Sequence, residues 1–284
     1  DRALNAIAEH LLAHESEILA ANNEDVLRSQ AEGISESLID RLRLNPKRIA
    51  DIANGARQIA ALPDPVGRVI RERNLENGLH LKQISVPFGV VGMVYEARPN
   101  VTVDAAVILI KAGSAALLRG SSTAAKSNEI LVNVMRSAIT SVGLPADIVQ
   151  LVSSHDRSTV RELLNARGLV DLVIPRGSAA LIRTVVDESS VPTIETGAGV
   201  CHVYVDAAAD LAKALPIVMN SKTHRPSVCN AAETVLIHKS VAEKFLPTLL
   251  TSLHSAGVLL HCDEAAESIA KTLSIDVSRV TAQN

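Results

Sequence analysis

The chain has 284 residues, 47% hydrophobic and 1% aromatic, with two Tyr, two Phe and no Trp; 28 Lys+Arg stand against 31 Asp+Glu, a formal net charge of −3. That length suits one large domain or two ordinary ones, and the apolar fraction excludes a disordered chain. So few aromatics and so balanced a charge argue against stacking on single-stranded nucleic acid and against a dedicated nucleic-acid binder, leaving a core of Ala, Val, Ile and Leu. A membrane span needs roughly 20 apolar residues; the longest apolar run in the middle of the chain, 105–110, is closed by Asp104 and Lys111. An amphipathic pattern is already running at Asp1, so the missing leader says little and residues upstream are expected. Cys201, Cys229 and Cys262 form no C-x-x-C pair and no disulfide framework, and free thiols fit the cytoplasm.

Leu4, Ile7, Ala8, Leu11 and Leu12 fall at helical spacing, and Ile18 and Leu19 continue the stripe. Ile49, Ile52, Ala53, Ala56, Ile59 and Ala60 repeat it before Leu62-Pro63-Asp64-Pro65 stops the helix. Residues 66–86 alternate polar and apolar and read as exposed extended chain or a hairpin, of the kind that pairs with another subunit. From Pro87 the character changes. The spacing predicts buried strands over 90–95, 115–118, 148–152 and 170–174, with helices over 103–111, from 121–123 to 141, over 157–166 and from 177 to 186. A second series follows: strands over 200–205, 234–237 and 258–260, with helices over 210–219 and 241–253. This alternation predicts an α/β fold with a doubly wound parallel sheet and a boundary near Thr196-Gly197-Ala198-Gly199.

No G-x-G-x-x-G follows a strand, no G-x-x-x-x-G-K-[ST] occurs, and neither H-E-x-x-H nor G-x-S-x-G is present, so no metal is implied. Two softer anion-site signals remain, Arg119-Gly120-Ser121-Ser122 and Pro175-Arg176-Gly177-Ser178, each after a strand and before a helix. Small residues there let backbone N–H groups approach a phosphate, although either alone is an ordinary turn; together they suggest a dinucleotide site. Tyr95-Glu96-Ala97-Arg98-Pro99-Asn100 follows the first buried strand, where Arg98 could hold an anion and Asn100 an oxyanion, or where the segment simply turns and caps a helix. Cys229 follows Lys222, His224 and Arg225. Cations and a helix start favour a thiolate nucleophile; the alternative is an inert buried cysteine. Cys201 alternates with Val203 and Val205 and reads as core, and Cys262 reads as structural.

Several segments taken together resemble the gamma-glutamyl phosphate reductase family, a branch of the aldehyde dehydrogenase superfamily. They are Val86-Pro87-Phe88-Gly89-Val90-Val91-Gly92, Tyr95-Glu96-Ala97-Arg98-Pro99-Asn100, Leu117-Leu118-Arg119-Gly120, Ile174-Pro175-Arg176-Gly177, Cys201-His202-Val203-Tyr204-Val205-Asp206 and Arg225-Pro226-Ser227-Val228-Cys229-Asn230. The resemblance implies reduction of L-glutamyl 5-phosphate by NADPH to glutamate 5-semialdehyde, in proline biosynthesis, through a thioester on Cys229. It implies Asn100 as the oxyanion donor. It implies Arg119, Gly120, Ser121 and Ser122 near the adenosine-ribose phosphate, and Arg176, Gly177 and Ser178 near the pyrophosphate. Arg98, Lys222, His224 and Arg225 are its candidates for substrate. Glu195 matches the superfamily's water-activating glutamate, a role a reductase does not need.

The expected layout is an NADP-binding domain at 1–66 and 87–197, an oligomerisation strand or hairpin at 67–86, and the first part of a catalytic domain at 198–284. The expected partners are a second copy of the chain, in a homo-oligomer, and the glutamate 5-kinase that makes the acyl phosphate. Family members run well past Asn284, so a fragment of a longer protein is expected; the alternative is a truncated, non-catalytic nucleotide-binding or assembly module.

Overall fold

The computed structural model describes residues 1–280 other than His155, Arg157, Thr196, Ala198 and Ser227. Three expectations touch the remainder: a helix start at Arg157, a boundary through Thr196 and Ala198, and Ser227 of the cysteine motif all lie outside the described residues. The chain divides into two compact units, Asp1–Gly197 and Ala198–Asn284.

The first unit opens with four helices, α1 (Arg2–Ala13), α2 (Glu15–Ala31), α3 (Glu36–Leu42) and α4 (Pro46–Ala61). Asn45 caps α4 by accepting the Arg48 N–H at 2.8 Å, and Pro46 sits at a first-turn position, where no N–H is needed. At the other end Leu62 is extended because Pro63 follows it. Next, β1 (Val69–Asn74) and β2 (His80–Ile84) form an antiparallel hairpin exposed at every residue.

The strands β3 (Val90–Tyr95), β4 (Ala115–Arg119), β5 (Val149–Leu151) and β6 (Leu172–Arg176) form one parallel sheet in the order β5-β4-β3-β6. The helices between them are α5 (Pro99–Lys111), α6 (Ala125–Ser141) and α7 (Ser158–Leu164), and α8 (Ala179–Glu188) follows. Alternation along β3 sends Val91 and Tyr95 into one core with α1, α4, α5 and α6, while Val94 packs with Leu163, Leu164 and Val185 on the opposite face. The sheet is therefore doubly wound, as the sequence predicts. It reverses direction of winding between β3 and β6, and ligands of such sheets gather at the carboxyl ends of the strands flanking that reversal.

In the second unit β7 (His202–Val205) pairs in parallel with β8 (Thr234–Ile237) across α9 (Leu211–Thr223). Then come α10 (Lys239–Ser255), β9 (His261–Cys262), α11 (Glu264–Thr272) and β10 (Ser278–Arg279), with β9 and β10 also parallel. Val218, Phe245, Leu249, Leu253 and Cys262 are buried in its core. The strand expected over 258–260 starts later. Gly257 adopts φ 73° and Val258 N–H bonds back to the Leu253 carbonyl at 3.0 Å, so Val258 still belongs to the α10 cap.

Candidate active site

The winding reversal brings two of the expected segments together. Tyr95-Glu96 leaves β3 beside Arg176-Gly177-Ser178 leaving β6, and Glu96 N–H donates to the Arg176 carbonyl at 3.2 Å. Ser178 caps α8 with its side chain, and its N–H donates to Glu96 Oε1 at 2.8 Å. The start of α8 thus already holds a carboxylate oxygen, which is the polarity a phosphate needs. A Cβ on Gly177 would lie 2.7 Å from the Glu96 carboxyl carbon, so this turn must be glycine for Glu96 to cross it.

The neighbouring turn follows β4. Arg119 is buried, and its guanidinium donates inward, to the Gly120 carbonyl at 2.8 Å and the Asp156 carbonyl at 3.1 Å. It therefore ties the end of β4 to the loop that follows β5. Ser121 Oγ accepts the Thr123 N–H at 3.2 Å and opens a single 3-10 turn, Ser122–Ala124, before α6. The sequence reads Ser121-Ser122-Thr123 as the cap of a helix running to Ser141; Ser121 does cap, with the 3-10 turn between it and α6.

Beside this turn a buried chain of hydrogen bonds links β3, α5 and α6. Thr102 donates its one proton to Asn128 Oδ1 at 2.8 Å, so the Tyr95 phenol donates to Thr102 Oγ1 at 2.8 Å. Burial pushes the Tyr95 phenol well above its ordinary range. Gly120 lies against this chain: a Cβ there would stand 2.2 Å from Asn128 Nδ2 and 3.0 Å from the Tyr95 ring. Asn128 is pinned by Thr102, so Gly120→Ala is expected to cost about 1–3 kcal/mol of overpacking. Thermal melting checks this, at about 2–4 °C per kcal/mol for a unit of this size; an unchanged melting temperature contradicts it.

Arg98 precedes α5 as its N-cap, with its N–H on the Glu96 carbonyl at 2.7 Å, and Asn100 lies in the first turn. Asn100 Nδ2 donates to Asp104 Oδ2 at 2.9 Å, which leaves the amide a second N–H. Burial raises the Asp104 pKa and the Asn100 amide lowers it, with burial the larger effect. Because the folded pKa is raised, the charged form costs stability above it, and the cost vanishes below the unfolded pKa of about 3.9. Asp104→Asn is therefore expected to raise the melting temperature at pH 7, with the gain closing as the pH falls toward the unfolded pKa. Lower stability of the variant at pH 7 contradicts this.

Two residues that the sequence reading missed reach this edge from α2. Asp25 is fully buried and accepts from Ser127 N–H and Ser127 Oγ, both at 2.7 Å, and from Lys126 N–H at 3.3 Å. Arg28 pairs with Asp25 at 2.6 Å and donates to the carbonyls of Ser122 at 3.1 Å and Thr123 at 3.0 Å. The helix thus grips both the turn and the start of α6. Glu96 was also missed as a contact, although it lies inside the Tyr-Glu-Ala-Arg-Pro-Asn segment. Glu195 is exposed near the end of this unit.

In the second unit Lys222 is half-buried in the last turn of α9, with His224, Arg225 and Cys229 exposed beyond it. Cys229 sits in turns tied by Val228 N–H on the Arg225 carbonyl and Ala231 N–H on the Val228 carbonyl. It thus follows the carboxyl end of a helix, where the sequence reading looked for a helix start. Cys201 precedes β7 and is half-buried, and its thiol donates to the Cys229 carbonyl at 3.4 Å. Cys262 is buried, and burial followed by Asp263 and Glu267 pushes its thiol pKa up. Among the described residues no group of His, Cys, Asp and Glu could hold a metal ion, and no helix is long and apolar enough to cross a membrane.

A doubly wound sheet with two helix-start turns at its carboxyl edge, followed by a smaller α/β unit bearing an exposed thiol, defines an aldehyde-dehydrogenase-like protein. The aldehyde dehydrogenase family model matches residues 3–268, and the chain belongs to that family. Within it, the chain is 57% identical over 281 residues to the gamma-glutamyl phosphate reductase of Kineococcus radiotolerans, covering 99% of this chain and 65% of that protein. The crystal structure of gamma-glutamyl phosphate reductase from Thermotoga maritima matches with a TM-score of 0.88 at 41% identity, over 99% of this chain and 67% of that one. The Saccharomyces cerevisiae enzyme of the same name matches with a TM-score of 0.63 at 31% identity, over 96% of this chain and 68% of that one. The chain thus spans about two thirds of the length of these relatives.

Proposed function

We propose that this chain carries the nucleophile and the cofactor turns of an NADPH-dependent gamma-glutamyl phosphate reductase, which converts L-glutamyl 5-phosphate to L-glutamate 5-semialdehyde and phosphate in proline biosynthesis. The observation that carries this reading is the 57% identity, over 99% of the chain, to a protein of that name.

The exposed Cys229 thiolate attacks the acyl carbon, a sulfur–carbon bond forms, the carbon–oxygen bond to phosphate breaks, and a thioester remains on Sγ. NADPH, when bound, supplies the hydride that takes this thioester to the aldehyde level, after which Sγ leaves. Splitting the reduction through sulfur replaces one difficult displacement by two easier steps. The resemblance gives Asn100 the role of oxyanion donor, which the second N–H of its amide can fill, and such a donor is worth about 2.7–4 kcal/mol. Arg98, Lys222, His224 and Arg225 supply positive charge for the substrate's carboxylate and leaving phosphate. The Arg176–Ser178 turn is the candidate for the pyrophosphate, and because Glu96 occupies the Ser178 N–H, a phosphate oxygen must displace that carboxylate to reach it. Ser121 and Ser122 suit the ribose phosphate, with Arg119 and Gly120 shaping the turn from behind.

An acyl phosphate hydrolyses readily, so the substrate must come from an ATP-dependent kinase acting on glutamate, which makes glutamate 5-kinase the functional partner. The hairpin of β1 and β2 exposes Ile70, Leu79, Leu81 and Ile84, and pairing with a second copy would cover them.

The reaction run in reverse tests the reading. Glutamate 5-semialdehyde, phosphate and NADP are supplied to this chain and to a chain of its relatives' length, and NADPH formation is followed by absorbance. Phosphate-dependent NADPH formation is expected. No turnover by either chain favours a non-catalytic module and overturns the proposal.

A further inference from the structure

The half-buried Cys201 and the exposed Cys229 of the second unit lie on neighbouring segments. Parallel pairing of β7 with β8 sets Cys201 beside Glu233 and Thr234, whose N–H groups donate to the Cys201 carbonyl at 2.9 and 3.1 Å. The Cys229 turn leads directly into this strand start, held by Ala232 N–H on the Ser221 carbonyl at 2.9 Å. The Cys201 thiol consequently rests on the Cys229 carbonyl at 3.4 Å, across 28 residues of sequence. That contact sets the Cys201 sulfur against the Cys229 backbone, and closing a disulfide from it requires the two Cα atoms to lie about 4.4–6.8 Å apart. Cys262, in contrast, is buried in the core.

We propose that Cys201 is a resolving thiol for Cys229, so that oxidation by a hydroperoxide closes a reversible Cys201–Cys229 disulfide. The Cys229 thiolate attacks the peroxide: a sulfur–oxygen bond forms, the oxygen–oxygen bond breaks, and the departing alkoxide or hydroxide takes a proton from water. The Cys201 sulfur then attacks the sulfenic sulfur. The sulfur–sulfur bond forms, the sulfur–oxygen bond breaks, and the hydroxide leaves as water with the Cys201 proton. Two thiols are oxidised by two electrons and the peroxide is reduced by two. A sulfenic acid without a resolving thiol goes on to sulfinic and sulfonic acids, which thiols do not reverse, so the disulfide shields Cys229 while switching it off. The regulatory meaning rests on Cys229 being the reductase nucleophile; the disulfide itself does not.

The test reads thiols, not turnover. The chain is treated with hydrogen peroxide, free thiols are blocked with N-ethylmaleimide, and peptides are mapped by mass spectrometry without reduction. The expected result is loss of two of the three free thiols, a Cys201–Cys229 cross-linked peptide, and full recovery with dithiothreitol. In Cys201→Ser, Cys229 is expected to reach the sulfinic acid and to resist dithiothreitol. The inference is overturned if, in the unsubstituted chain, Cys229 reaches sulfinic acid while Cys201 is still alkylated. It is equally overturned if the cross-link joins two chains or involves Cys262. Cross-linking, with no reverse turnover by the reduced protein at either length, keeps this inference and sinks the reductase reading; turnover without a cross-link does the reverse.

Discussion

Cys229→Ala is expected to abolish reductase turnover, with kcat falling by about 10^4-fold or more. Removing the sulfur removes the only covalent route in the proposed scheme, because no thioester can form and the acyl phosphate is left to direct hydride attack. In that scheme substrate and cofactor are held by other side chains, so binding should survive. Affinity for L-glutamyl 5-phosphate and NADPH is expected to change little, which separates a lost nucleophile from a misfolded turn. Rapid mixing with the acyl phosphate should release a burst of phosphate from the native protein and none from the variant. Undiminished activity in Cys229→Ala would end the thioester mechanism.

The largest effect on stability is expected at Asp25. Its carboxylate is fully buried and accepts from two N–H groups, one hydroxyl and the Arg28 guanidinium. Asp25→Ala strands those donors and leaves Arg28 without its anion. Water can still reach Arg28, but each buried donor left unsatisfied costs about 1–3 kcal/mol, together on the order of 10 °C in melting temperature for a unit of this size. Arg28 is partly exposed, its side chain 39% accessible, so Arg28→Ala should cost the fold less. It should instead loosen Ser122 and Thr123 and raise the KM for NADPH more than it lowers kcat. Calorimetry checks the first variant and steady-state kinetics the second. An Asp25→Ala chain that melts like the parent would show that water satisfies those donors.

Both variants concern residues that hydropathy conceals. The strand β3 is legible because Val90, Val91, Met93 and Val94 form a continuous apolar run, as a strand covered on both faces requires. In α2 the buried positions include Asn22, Asp25 and Ser29, so its inward face carries little apolar stripe and its role cannot be read from periodicity. The two Arg-Gly-Ser turns were legible as sites of small residues at strand ends, but Arg119 turns its charge inward, a choice made by the carbonyls of Gly120 and Asp156. Cys229 stood out by its cationic neighbours. The approach of Cys201 follows from the β7–β8 register, which links residues far apart in sequence.

The grip of α2 on the turn proposed for the cofactor also bears on how the site comes into being. Arg28 reaches Ser122 and Thr123 across 94 and 95 residues, and Asp25 reaches Ser127 across 102. Contacts of such span must close a large loop before they return any energy, so they form slowly and late. Strand β3 with α5 and β4 can assemble from nearer neighbours. The turn at Ser121–Thr123 therefore acquires its final geometry only when the beginning of the unit docks onto its middle. Competence to take a dinucleotide should accordingly lag behind secondary structure during refolding.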